Sequence, residues 1–317
     1  MKTFILLFGL FILASVHASD QAGFIESSDG VKLYYEKTGS GQPLILIAGG
    51  PGDSHAYFKP YFKQLQKKFT VIYFDARGRG RSTRLTDFAL YSVDKDVEDL
   101  ESLRRTLGFE KVHLFGHSYG GIVAQSYALA HPNNVRRVIL CNTFHSAVGW
   151  QNNIDNCNRH IQESYPDVWT RLMEMRKAMK SSATEWRALY DHCYATMYWY
   201  SVEKHKKHLS KYAAIQTSDD AFSEPVYYAI IGDDPDFKVG GSMKNLDLRP
   251  LIGQLKSPVL ILTGRSDKVA TTKQAFEIKE LIPNAKIYIF EKSGHLPFAE
   301  ENKSFTKVVR DFLNGNF

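Results

Sequence analysis

KVHLFGHSYGGIVAQSYALAH, residues Lys111 to His131, decides how the rest of the chain is read. Its first part, Val112 to Phe115, is a short apolar run with the length of a buried strand. Gly116-His117-Ser118-Tyr119-Gly120 then fits G-x-S-x-G, and Ile122, Val123, Ala124, Tyr127, Ala128 and Ala130 continue as a buried helix. A serine at a sharp strand-to-helix turn presents its hydroxyl, and its neighbours two residues away must lack side chains because strand and helix approach there. The helix that follows aims free N–H groups at any negative charge forming beside the serine. Ser118 is therefore the candidate nucleophile.

A serine hydroxyl is a weak nucleophile at neutral pH and needs a base, which needs an orienting acid. After a nucleophile on this kind of turn, the chain order is acid and then His. Asp267 follows the apolar run Val259 to Leu262 through Gly264-Arg265-Ser266, and His295 follows Lys286 to Phe290 through Ser293-Gly294. Both stand at the carboxyl ends of predicted strands, where the sites of open α/β sheets gather. Of the 11 His, His295 alone has that placement. The oxyanion formed during attack needs two backbone N–H groups. One is assigned to Tyr119 and the other to Gly50, in the Gly49-Gly50-Pro51-Gly52 loop after PLILIA (Pro43 to Ala48). His117 reads as a packing residue, its side chain turned away by the tight turn.

Strand patterns at Val31 to Tyr35, Pro43 to Ala48, Phe69 to Phe74, Val135 to Cys141, Pro258 to Thr263 and Lys286 to Phe290 alternate with helical ones from Ser92, from Lys273 to Leu281 and from Ser304 to Leu313. The class is α/β, a mainly parallel sheet covered by helices on both faces. From Phe144 to Asn245 the texture changes to dense Trp, Tyr, Met, His and charge without strand runs. The domain reading is a signal peptide over 1–18, a first core part over 19–143, an inserted helical cap over 144–250 and a second core part over 251–317. The cap aromatics form a small helical core, and some of them line a substrate pocket.

The signal reading rests on Lys2, the apolar run Phe4 to Val16 and Val16-His17-Ala18 before Ser19. It implies an exported protein, periplasmic or secreted, with no stable membrane insertion after cleavage. The formal charge of +6 is mild. Arg77, Arg79, Arg81 and Arg84 alternate with Gly in one tight loop, without the spread face and aromatic partners of a nucleic-acid patch. They read as a structural loop, and Lys204 to Lys211 as a solvated helix face. Cys141 reads as buried and inert, while Cys157 and Cys193 share the middle region, where a disulfide between them is open. No metal site or organic cofactor is implied, and the oligomeric state is not encoded legibly.

With these residues in hand, the chain resembles the α/β-hydrolase group of proline iminopeptidases, serine aminopeptidases that release an N-terminal residue, preferably Pro. Gly49-Gly50-Pro51-Gly52 matches the tail of that family's H-G-G-P-G. Asp75-Ala76-Arg77-Gly78-Arg79-Gly80-Arg81-Ser82 resembles its D-x-R-G-x-G-x-S, and Gly264-Arg265-Ser266-Asp267 its G-x-x-D. Two departures stand out. Ala48 replaces the family's His, and Lys268 stands where the archaeal branch has a Glu that helps hold the substrate's amine. The resemblance implies that Asp236, in Pro235-Asp236-Phe237, keeps the other amine-binding carboxylate. The expected function is a serine aminopeptidase on short peptides or small molecules. A carboxylesterase on small acyl esters and a non-catalytic ligand-binding protein are the alternatives.

Overall fold

The computed structural model describes residues 20–180 and 184–317; the segment read as a signal peptide, 1–18, lies outside the described residues. Eight strands form one sheet: β1 (Gln21–Glu26), β2 (Lys32–Thr38), β3 (Gln42–Ile47), β4 (Phe69–Phe74), β5 (Val112–His117), β6 (Val135–Cys141), β7 (Val259–Gly264) and β8 (Lys286–Phe290), in the order β1-β2-β4-β3-β5-β6-β7-β8. β1 and β2 pair antiparallel, as do β2 and β4, and every later pair is parallel. The central strands β4, β5 and β7 are buried along their whole length, which is why they read as continuous apolar runs rather than alternating ones. β1 escaped the sequence reading. It is half-exposed, with Phe24 open to solvent, and has the mixed pattern of an edge hairpin.

Between and after the strands run α1 (Lys59–Phe62), α2 (Val93–Thr106) and α3 (Tyr119–Ala130). Five helices then separate β6 from β7: α4 (Ala147–Ser164), α5 (Pro166–Lys177), α6 (Thr184–Tyr198), α7 (Val202–Ala213) and α8 (Glu224–Ile231). The chain closes with α9 (Thr272–Leu281), α10 (Pro297–Glu300) and α11 (Asn302–Leu313). Ser92 caps α2 by accepting from the Lys95 N–H, and its apolar face, Val93, Val97, Leu100 and Leu103, packs on the sheet.

The inserted helices keep a small core of their own from Ile161, Leu172, Met175, Trp186, Cys193 and Met197. The three cysteines are free; Cys193 is a buried member of that cluster and Cys157 Sγ donates to Asn153 Oδ1. The Cys157–Cys193 disulfide weighed from the sequence is therefore not formed. Lys206, Lys207 and Lys211 of α7 face solvent, but Lys204 donates to the Glu300 carbonyl, and His208 turns inward and stacks on Tyr61, whose hydroxyl lies 2.8 Å from its Nδ1.

The arginine loop after β4 is a lattice of buried ion pairs. Arg77 bridges Asp99 and Asp29, and Arg79 grips Asp96 at 2.6 and 2.8 Å. Arg79 Nε also donates to the Pro51 carbonyl, and the Tyr119 hydroxyl donates to Asp96. Buried pairs add little net stability against an apolar replacement. What this lattice does is fix the loop after β3 and the turn after β5 to a common post.

His55 is buried beside Asp75 (2.7 Å) and Glu36 (3.5 Å), with Lys59 on the far side of Glu36. Burial pulls its pKa down, but the two carboxylates overcome that and hold it up to about 9. Its unfolded value is near 6.5. The charged pair thus stabilises fully below pH 6.5, and that contribution is lost as pH rises through 9. Urea unfolding should show roughly 2–3 kcal/mol of stability lost across this window, and His55→Gln should flatten the slope. Parallel slopes in the two proteins would refute it.

Candidate active site

The turn after β5 is strained as its sequence required. Ser118 sits at φ 53°, ψ −121°, a conformation uncommon outside glycine. A Cβ on Gly116 would lie 2.3 Å from the Gly120 carbonyl, and one on Gly120 would lie 2.2 Å from the Ile47 carbonyl. Only glycine lets β5, α3 and the end of β3 approach this closely.

Asp267 and His295 come from the loops after β7 and β8 and meet, with His295 Nδ1 2.8 Å from Asp267 Oδ2. The carboxylate is saturated. Oδ2 also accepts from Asn142 Nδ2 (2.6 Å), and Oδ1 accepts from the N–H groups of Val269 and Ala270 (2.8 and 3.1 Å). Because a carboxylate only accepts, Nδ1 of His295 carries a proton and Nε2 is left as the basic nitrogen. The loop bearing His295 is clamped in turn. Its N–H donates to the Tyr198 carbonyl, the Tyr198 ring meets it edge-on at 5.1 Å, and buried Glu300 accepts from the N–H groups of Gly294, Tyr200 and Ser201.

His117 packs against Phe58 and Phe298, as the sequence suggested, but it also makes two hydrogen bonds that the sequence did not announce. Its Nε2 lies 2.9 Å from the His295 carbonyl, so Nε2 is the donor, and Nδ1 accepts from the Tyr57 hydroxyl at 2.9 Å. Tyr57 accepts from the Gly49 N–H. Burial and the neighbouring His295 hold the His117 pKa well below its ordinary value, so it stays neutral. One relay thus ties the loop after β3, the turn carrying Ser118 and the His295 loop together. It also uses up the Gly49 N–H. The Gly50 N–H, on a residue at φ 92°, and the Tyr119 N–H, at the first position of α3, have no backbone acceptor among the described residues. Tyr119 directly follows Ser118, and Gly50 follows Gly49, on which a Cβ would lie 3.0 Å from the Ser118 Cβ.

Asp236 lies under the inserted helices. Its Oδ2 accepts from Trp186 Nε1 (2.8 Å), and its backbone carbonyl accepts from Asn158. Burial raises its pKa, opposed by the Trp186 hydrogen bond and by Arg187 and Arg176. Burial, and to a lesser degree the charges of Asp267 and Asp236, push the Cys157 thiol pKa up. Lys268 is exposed, its charge in solvent. Two residues that sequence reasoning missed shape the site: Asn142, which donates to Asp267, and Glu300, which holds the His295 loop. No group of His, Cys, Asp and Glu among the described residues is arranged to hold a metal ion.

The chain belongs to the alpha/beta hydrolase fold family, whose profile matches residues 42–302. Within that family it is a serine hydrolase similar to the proline iminopeptidases. It is 30% identical over 294 residues to the proline iminopeptidase of Heyndrickxia coagulans, covering 92% of this chain and 98% of that one. It is 27% identical over 290 residues to that of Saccharolobus solfataricus, covering 90% of each. Among solved structures, the proline iminopeptidase of Mycobacterium smegmatis superposes with a TM-score of 0.77 at 21% identity, covering 93% of this chain and 98% of that one. An esterase from Exiguobacterium antarcticum gives 0.69 at 22% identity, covering 93% and 100%. Likeness at those identities speaks for the fold alone.

Proposed function

We propose that the protein is a serine aminopeptidase that releases the N-terminal residue of short peptides through an acyl-enzyme. The observation that carries this is the saturated Asp267–His295 pair, whose loop is bonded by His117, the neighbour of the strained Ser118, in a chain whose full-length relatives are proline iminopeptidases. Ser118 Oγ attacks the scissile carbonyl while His295 Nε2 takes its proton. Asp267 holds the imidazolium that forms, and the Gly50 and Tyr119 N–H groups receive the oxyanion. The proton passes to the leaving amine, and water then opens the acyl-enzyme by the same route.

Asp236 is assigned to the substrate's ammonium. Trp186 occupies one of its oxygens and leaves the other for a cation. Replacing Asp236 by Asn keeps the Trp186 contact and removes the charge. That change should lower kcat/KM for proline arylamide by about 10- to 100-fold, mainly through KM, as expected for a lost charge-assisted hydrogen bond. An unchanged KM would remove Asp236 from amine binding. Ester turnover by the same triad, with no arylamide turnover, would place the protein among the esterases instead.

A further inference from the structure

The carboxylate of Asp53 is unusual in having nothing to hold. Its Oδ2 lies against Gly50, so close that a Cβ built there would meet it at 2.5 Å. Yet no hydrogen bond acts on the carboxylate, and the two cations that influence it are His295 and Arg79. Neither serves as a standing partner. Arg79 is committed to Asp96 and the Pro51 carbonyl. His295 is committed to Asp267 through its Nδ1. Burial pushes the Asp53 carboxyl up to about 6, so near neutral pH it is an ionised, poorly compensated anion. The geometry agrees: Asp53 lines a small cavity together with Ala48, Arg79 and Tyr119, beside the residues assigned as oxyanion donors.

An anion beside the oxyanion donors opposes the reaction unless something cancels it. Covalent geometry supplies the candidate. In an N-terminal residue the amino nitrogen is two bonds from the scissile carbonyl carbon, which places it roughly 2.5 Å from that carbon. With the carbonyl oxygen on the Gly50 N–H, the ammonium must then fall close to the loop that Gly50 and Asp53 share. A free amine would cancel the Asp53 charge; a neutral ester would leave it standing.

We propose that Asp53 takes the ammonium of the substrate's first residue at the oxyanion loop and so selects substrates with a free N-terminus. This rests on the aminopeptidase reading above, and it adds a carboxylate on the core side of the site to Asp236 on the cap side. The loop position also makes up for Lys268, which offers no carboxylate.

The test compares wild type with Asp53→Asn, using proline p-nitroanilide, p-nitrophenyl acetate and pyrrolidine as a competitive inhibitor of acetate-ester hydrolysis. Asn keeps the shape and removes a buried charge, so the variant should fold with an equal or higher Tm. The ratio of arylamide to ester kcat/KM should fall about 10- to 100-fold, and the pyrrolidine Ki should rise by a similar factor. Both activities falling in proportion, with an unchanged Ki, would reduce Asp53 to a loop-shaping residue and overturn the proposal. Should wild type lack arylamide turnover, the aminopeptidase reading fails. The pyrrolidine Ki, read on the ester, still decides whether Asp53 binds a cation. If Asp53→Asn fails to accumulate, Asp53→Ser is read in the same way.

Discussion

Ser118→Ala should lose arylamide and ester turnover together, by about 10⁴- to 10⁶-fold in kcat, while folding normally. The bonds that fix residue 118 run through its backbone. Its N–H donates to the Cys141 carbonyl, and its own carbonyl accepts from the Gly121 N–H and the Thr143 hydroxyl. Alanine keeps all of them and is no more strained at φ 53° than serine. The Tm should therefore move little, and the loss of rate reads the hydroxyl alone. The residual rate reflects the oxyanion donors and substrate positioning, which the substitution leaves in place. A variant retaining more than about 1% of wild-type turnover would move the nucleophile elsewhere, since a lost nucleophile typically costs several orders of magnitude.

Asp267→Asn is the second large effect, and the local hydrogen bonds set its direction. Val269 and Ala270 present two backbone donors to one side of the carboxylate, so the new amide must turn its oxygen toward them. Its NH₂ then faces Asn142 Nδ2 and His295 Nδ1, both donors in the native arrangement. His295 can adapt only by moving its proton to Nε2, and a protonated Nε2 cannot accept from Ser118. The expected loss is about 10⁴-fold in kcat with KM little changed. A stopped assay at saturating proline arylamide reads it. A loss under tenfold would mean that Asp267 serves the loop's shape rather than the imidazole's tautomer.

The parts of the fold that could be read from sequence were those dictated by local rules. β4, β5 and β7 are buried on both faces and give unbroken apolar runs. The glycines flanking Ser118 mark a backbone approach that tolerates no Cβ. Asp267 and His295 stood out because an acid and a His each follow a strand at its carboxyl end. What could not be read depends on contacts between distant residues. His117 reaches across 178 positions to the His295 carbonyl, and Asn142 across 125 to Asp267. Nothing in the neighbouring sequence of either announces those bonds. The cap resisted for a related reason. Its aromatics carry no period that separates core from pocket, and its cysteines left open a pairing that the helices do not make. Asp53 drew no reading from its sequence, because only the fold brings its carboxylate against Gly50.

The most direct test of the central claim is to offer wild type the arylamides of Pro, Ala and Leu, their N-acetylated counterparts and a short acyl ester, and to compare kcat/KM. The account predicts efficient release from the free-amine arylamides, Pro foremost, and at least a tenfold loss on acetylation, the scale of one charge-assisted contact. Turnover of the ester with none of the arylamides, or equal rates with and without the acetyl group, would contradict it.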